Sequence, residues 1–397
     1  MKRIAALLLL ASGTAHAALE VSDWTPPARA PAAQPNLTAG PDGALHASWV
    51  ERDGKGHRLR HATDTGAGFG KPRTIARGER WFVNWADFPA LLATRAGLYA
   101  FWLQRQGEGT YAYGVRVAHS SDGRRWSQPM VPHDASATEH GFAAFWPEAN
   151  GAGFAWLDGR ATAGQQQDQH AQREHHGAMQ LRTVQFDAAL AASGETGLDA
   201  RTCDCCQVDA AVTTQGPVLA YRDRDEGEVR DIAVLRRVDG AWQPANSVFA
   251  DGWVMPGCPV NGPAIAARGN DVYVAWYTAA GDVPRVRLAH SRDGGATFGP
   301  PIDLAEGDAL GRVDVAVAAT GDVWATWLTE DDATQRLMIG RWDAALARGK
   351  GRVLRELPRG RSTGFPRMAA RDGAAYVVWT ESRDGEPHVA GARVAAR

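Results

Sequence analysis

One short alternation recurs along the chain. Apolar residues at every second position lead to an aromatic residue and then to a polar or acidic one. It reads Leu45-His-Ala-Ser-Trp-Val-Glu51, Leu98-Tyr-Ala-Phe-Trp-Leu-Gln104, Gly153-Phe-Ala-Trp-Leu-Asp158 and Val218-Leu-Ala-Tyr-Arg-Asp223. It continues as Val272-Tyr-Val-Ala-Trp-Tyr-Thr278, Val323-Trp-Ala-Thr-Trp-Leu-Thr329 and Ala375-Tyr-Val-Val-Trp-Thr-Glu381. A period of two marks a β-strand. The aromatic anchors Trp49, Trp102, Trp156, Tyr221, Trp276, Trp327 and Trp379 are spaced by 53, 54, 65, 55, 51 and 52 residues. Seven copies at so even an interval predict a radial array of repeated units.

Each unit carries more strand signals around its anchor. A shorter apolar stretch, often opened by proline, comes first, as in Pro89-Ala-Leu-Leu-Ala93, Pro263-Ala-Ile-Ala-Ala267 and Pro366-Arg-Met-Ala-Ala370. An alternating strand such as Val286-Arg-Leu-Ala-His-Ser291 follows the anchor, then a glycine-rich turn and a last short strand. Four antiparallel strands in roughly fifty residues make one blade of a β-propeller. The expected fold is therefore all-β and seven-bladed, with six blades plus an irregular unit as the alternative. The last unit, 364–396, supplies only three strands, and Leu19-Glu-Val-Ser-Asp-Trp24 is expected to add the outermost one and close the ring. Helical periodicity is confined to a weak hint at 343–348.

The turns after the third strands carry the most specific residues. Ser291-Arg-Asp-Gly-Gly-Ala-Thr-Phe298 fits the pattern Ser-x-Asp-x-Gly-x-Thr-aromatic through Ser291, Asp293, Gly295 and Phe298. Asp122 and Trp126 stand in a shorter version of it, and Asp64 and Phe69 in one that lacks the serine. In such a turn the aspartate accepts backbone N–H groups, glycine takes a positive φ, and the aromatic ring packs between hairpins. The pattern resembles the Asp-box propellers of the sialidase superfamily over most of the chain. That resemblance implies a functional face at the channel mouth, remote from these turns. It also implies hydrolysis of an acidic sugar by an arginine clamp, a tyrosine nucleophile with a glutamate, and an acid/base aspartate. The family's first arginine has no counterpart, because that place reads Ala33-Gln-Pro-Asn-Leu37. No full catalytic set carries over. The residues proposed to meet a ligand at the mouth are Arg160, Arg222, Asp223, Arg367, Trp85 and Trp146, with inter-blade packing the competing role for the aromatics.

Composition narrows the classes. The formal charge of -2, with basic and acidic residues interleaved, gives no electrostatic case for nucleic acid. A basic start, a short apolar run and Ala15-His-Ala17 read as a secretory signal at 1–17, leaving a single domain at 18–397. The mature protein is expected in the periplasm or outside the cell, as a monomer with no membrane span.

All four cysteines fall just before inner strands of two neighbouring units, at Cys203, Cys205, Cys206 and Cys258. Two readings stand side by side. In an exported chain, an even cysteine count favours disulfides, and a bridge from the triplet to Cys258 would staple adjacent blades. Alternatively, the thiols with His170, His175 and His176 of the long loop after Trp156, and with Met255, form a soft-metal or redox centre for copper or zinc. The function expected first is thus an exported binding or redox-linked propeller with a cysteine centre. A glycoside hydrolase and a platform for a protein partner are the alternatives.

Overall fold

Seven small antiparallel sheets stand around one axis in the computed structural model, which describes residues 18–163 and 177–396. The inner strands are Ala32–Ala39, Ala90–Thr94, His140–Glu148, Asp209–Thr213, Ala264–Arg268, Ala309–Val317 and Arg367–Arg371. Each touches the inner strand before and after it, and the seventh returns to the first. The protein is a seven-bladed β-propeller, as the repeat predicts. Blade 2 has three full strands and an outer edge reduced to reciprocal bonds between Val117 and Met130, both 2.9 Å. In blade 4 the outer edge is split between Ala241–Trp242 and Asn246–Ser247.

The anchors explain why the ring packs. A second strand lies inside its sheet and between two other blades, so both of its faces are covered and both must be apolar. Trp49, Trp156, Tyr221 and Trp276 have no exposed surface. Their buried polar atoms need partners, and residues two apart in a strand share a face. Trp49 Nε1 accordingly donates to Glu51 (2.8 Å), Trp156 Nε1 to Asp158 (2.7 Å) and Trp379 Nε1 to Glu381 (3.2 Å). The acidic residue after the aromatic one is thus a structural partner in these three blades.

The weak helical hint at 343–348 is a turn instead. Leu346 takes φ 56° there, and Asp343 N–H donates to the Arg348 carbonyl. A helix would deny these few residues their bonds to the strand ends. In the Ser291–Phe298 turn, Asp293 accepts from Thr297 N–H (2.9 Å), Thr297 Oγ1 (2.6 Å) and Ser291 Oγ (2.7 Å). Asp122 accepts the N–H groups of Arg124 and Arg125, and Trp126 sets its edge on His61. By the antiparallel order of the strands these turns lie at the end opposite the channel mouth.

Ring closure uses the N-terminal strand Leu19–Asp23, paired to the last strand from Leu19 opposite Ala396 to Asp23 opposite Ala392. Asp64 secures it. This buried carboxylate accepts Trp24 Nε1 (2.6 Å), Gly66 N–H (2.7 Å), Gly68 N–H (3.0 Å) and Arg371 Nη2 (3.0 Å), joining blades 1 and 7 to the incoming chain. Phe69 packs on Trp24 above it, with centroids 4.4 Å apart. Burial pushes the Asp64 pKa up, but the bonds from Trp24, Gly66 and Arg371 outweigh it and hold the pKa below its ordinary value. A lowered folded pKa gives stability that is whole above the ordinary carboxylate range and is lost as pH falls through the lowered value. Asp64→Ala is expected to cost about 2–4 kcal/mol in denaturant unfolding at neutral pH, and to flatten the acid limb of the stability curve. An unchanged midpoint would remove the clamp.

Candidate thiol centre and channel mouth

Inner strands begin, and second strands end, at the same rim of the ring, so their flanking loops share one face. The segment 201–208 lies there before the inner strand of blade 4. It is sewn at both ends to its neighbours: Thr202 N–H donates to the Met179 carbonyl (2.9 Å), Cys203 N–H to Arg222 (3.0 Å) and Val208 N–H to Phe142 (3.2 Å). Between those ties Asp204 and Cys205 form a turn. An extended segment would send Cys206 away from Cys203 and Cys205. The turn instead brings the three Sγ atoms within 4.8 Å of one another.

Cys205 is bonded to Cys258, 53 positions further along the chain, with Cα atoms 6.0 Å apart. Closing a loop of that length stabilises by about 4 kcal/mol in the chain-entropy description. Cys258 is exposed, whereas the free Cys203 and Cys206 are buried with Sγ atoms 2.6 Å apart. The bridge to Cys258 predicted from the sequence is therefore present, and it leaves a separate dithiol beneath it.

Two buried arginines set the charge at that dithiol. Arg222 donates to the carbonyls of Asn261 (2.9 and 2.8 Å), Arg230 (2.5 Å) and Tyr277 (2.7 Å), and lies over the Trp253 ring. Arg230 pairs with Glu228 (2.8 Å) through Nη2 and with Asp204 (3.9 Å) through Nη1, while its buried Nε and Nη1 make no hydrogen bond to oxygen or nitrogen among the described residues. Burial pushes the Cys203 pKa up, but the Cys206 thiol and the charges of Arg222 and Arg230 outweigh it and lower it to about 7. Burial, with Cys203 beside it, drives the Cys206 thiol well up. One sulfur of the pair is a ready thiolate and the other its proton-bearing partner.

The remaining residues expected at the mouth divide. His170, His175 and His176 lie outside the described residues. Met255 stands in the turn before Cys258, its N–H on the Glu228 carbonyl (2.9 Å). Arg160 is held by Asp158 (2.8 Å) and Glu195 (2.9 Å), and Arg222 by the carbonyls above. Asp223 accepts the Arg224 N–H (2.7 Å), and burial raises it to about 6. Trp146 is fully buried, its indole edge-on to Trp242 and its Nε1 on Glu148, so it packs between blades. Trp85 does lie at the mouth, stacked on Phe365 with Arg312 and Arg361 over its ring. Tyr221, with its hydroxyl on Asp199 (2.6 Å), is a packing residue.

Arg367 reaches the channel itself. A cavity of about 310 Å³ runs down the axis, lined among others by Asp87, Phe142, Gln207, Asp209, Asp314 and Arg367. Arg367 stands between Asp314 (3.4 Å) and Asp209 (3.9 Å). Burial raises both carboxylates, Asp314 to about 7. Neither acid stands out in the sequence, although Asp209 begins one apolar inner strand and Asp314 lies within another, places where a carboxylate has no cause to be unless it has a partner. Nor do His133, Asp134 and His140, whose ligating atoms lie within 4.8 Å of one another. His133 spends both ring nitrogens on the backbone, at Val115 N–H and the Asp134 carbonyl, and the Arg160 guanidinium already sits against Asp134 and Asp158. That cluster is built for a guanidinium rather than for a metal ion.

No protein-family model matches the chain, and no curated protein does. Solved structures show the fold. The chain is similar to the polysaccharide lyase Uly1, at 9% identity and a TM-score of 0.54 over 93% of this chain and 91% of that one. It is similar to the α-L-arabinofuranosidase Arb93A from Fusarium graminearum, at 11% identity and a TM-score of 0.51 over 94% and 96%. The phage phi92 endosialidase matches at 9% identity and a TM-score of 0.53 over 96% of this chain and 69% of that one. At these identities the likeness is one of architecture, the β-propeller fold alone.

If Arg230 supplies the thiolate's charge, Arg230→Met should move the midpoint of thiolate ultraviolet absorbance from about 7 toward the ordinary thiol value, roughly 8.5. A midpoint that stays put would assign the low value to Cys206 and Arg222 alone.

Proposed function

We propose that this is an exported propeller with a thiol–disulfide exchange centre at its channel mouth. The observation that carries the reading is the clustering of the buried Cys203–Cys206 dithiol against the half-exposed Cys205–Cys258 disulfide. The exchange balances without an outside oxidant. The Cys203 thiolate attacks Cys205 Sγ, the Cys205–Cys258 bond breaks, and Cys258 leaves as thiolate. Cys206 then loses its proton and attacks Cys203, releasing Cys205. The outcome is a Cys203–Cys206 disulfide and thiols at Cys205 and Cys258, two electrons having moved outward to the exposed sulfur. Attack by a thiolate near its pKa on an adjacent disulfide is the favourable geometry for such a step. With both pairs reduced, four sulfur donors would serve Cu(I) or Zn(II).

A redox titration in glutathione buffers tests this. The wild type is expected to show two two-electron transitions in its free-thiol count, and Cys203→Ser or Cys206→Ser only one. A single transition in the wild type, unchanged by either substitution, would leave Cys205–Cys258 as a staple and the buried thiols inert.

A second reading, action on a glycoside, is favoured by the polar axial cavity and by the sugar-directed enzymes among proteins of this fold. Arg222 is committed to backbone carbonyls and Arg367 to two aspartates, so neither is free to clamp a sugar carboxylate. The acidic sugar implied by the family resemblance thus finds no open guanidinium at these positions.

A further inference from the structure

Asp87, Tyr113 and Glu139 form a hydrogen-bonded chain beside the axial cavity, with Asp204 of the cysteine-bearing turn close enough to Glu139 to act on its charge. Tyr113 Oη lies 2.7 Å from Asp87 Oδ2 and 2.6 Å from Glu139 Oε1. A phenol has one proton to give. Two such short contacts to carboxyl oxygens therefore require one carboxyl to keep its own proton and donate it to Oη. Tyr113 has no exposed surface and cannot itself meet a ligand. Asp87 lines the cavity, and its Oδ1 accepts Phe142 N–H at 2.9 Å.

The chain rests on a backbone shaped for it. A Cβ on Gly141 would run into the Asp87 carboxylate and the Tyr113 ring, so only glycine lets the next strand approach so closely. Phe142 then takes φ 50°, a conformation unfavourable to a bulky residue, and in doing so aims its N–H at Asp87. Burial raises Asp87 to about 7 and Glu139 to about 8, in keeping with a retained proton.

The charge around the cavity selects among ligands. Asp209 and Asp314 outnumber Arg367, whose cation they enclose, and Asp87 adds acceptor character. An anion would meet carboxyl oxygens there, with the Arg367 guanidinium already taken up by two aspartates. A neutral polyol would find carboxylate and amide acceptors at Asp87, Asp209 and Gln207 and aromatic faces at Phe88 and Phe142. About 310 Å³ is at the small end of ligand pockets.

We propose that the axial cavity binds an uncharged, hydroxyl-rich ligand of the neutral-sugar class, with Asp87 as the cavity-facing member of the Asp87–Tyr113–Glu139 chain. The ligand class rests on the glycoside reading; the shared proton does not. Two measurements keep their failures apart. Infrared spectra at neutral pH are expected to show a protonated-carboxyl band in the wild type that is lost in Glu139→Gln. No such band would overturn the proton-sharing chain, whatever the protein binds. Calorimetric titration with cellobiose, arabinobiose and sialyllactose is expected to favour a neutral disaccharide by about tenfold or more. Tyr113→Phe, which removes one oxygen and keeps the ring, should weaken that binding by about tenfold. Tighter binding of sialyllactose, or of none of the three, would overturn the ligand assignment and leave the band as a fact about the chain alone.

Discussion

At five of the seven junctions of this ring an inner strand begins where a backbone N–H faces a neighbouring blade rather than a sheet partner, and a buried N–H left unmet costs about 1–3 kcal/mol. Side chains from the preceding blade meet that need. Asp87 accepts Phe142 N–H, Gln207 accepts Gly262 N–H (2.9 Å) and Asp209 accepts Ile265 N–H (3.0 Å). Asn261 accepts Arg312 N–H (2.8 Å), Asp314 accepts Met368 N–H (2.6 Å), and Thr380 of blade 7 accepts Gln34 N–H (3.3 Å). Gln34, Phe142 and Arg312 take positive φ at these places, with strand register shifting beside each. The ring is thus set blade by blade through polar side chains at the mouth, while apolar anchors fill the space between sheets.

The polar character of the channel follows from that requirement. The carboxylates that hold the next strand cannot be replaced by apolar residues without leaving N–H groups orphaned, so the cavity they line stays acidic. The thiol centre shares the same junctions. Asn261, which secures the start of blade 6, also gives its carbonyl to Arg222, and Arg222 lies against the Cys203–Cys206 pair. A change of charge at the sulfurs is therefore felt by the residue that joins blades 4, 5 and 6.

The architecture was largely legible in the sequence. Seven anchors at an even spacing need seven equivalent environments, and only a closed ring supplies them. The N-terminal strand could be assigned because the last unit was one strand short. The Cys205–Cys258 pairing followed less surely, since the spacing fixed adjacent blades but not which member of the triplet bonded. What the sequence hid was the meaning of polar residues. Arg222 and Arg160 read as open guanidiniums because backbone carbonyls and the carboxylates of another strand leave no trace in local pattern. Trp146 read as a mouth aromatic because register decides which end of His140–Glu148 it occupies. Asp87, Tyr113 and Glu139 are scattered over two units and three structural roles, so no spacing announces them.

The central claim is that the four sulfurs exchange bonds within one centre. Peptide mapping of the disulfides, after equilibration with enough reductant to open half of the bonds in fully oxidised protein, tests it most directly. The account predicts a mixed population in which some molecules carry Cys203–Cys206 and others Cys205–Cys258. If every remaining bond were Cys205–Cys258, with Cys203 and Cys206 free throughout, the exchange would not occur and the pair would be a fixed staple.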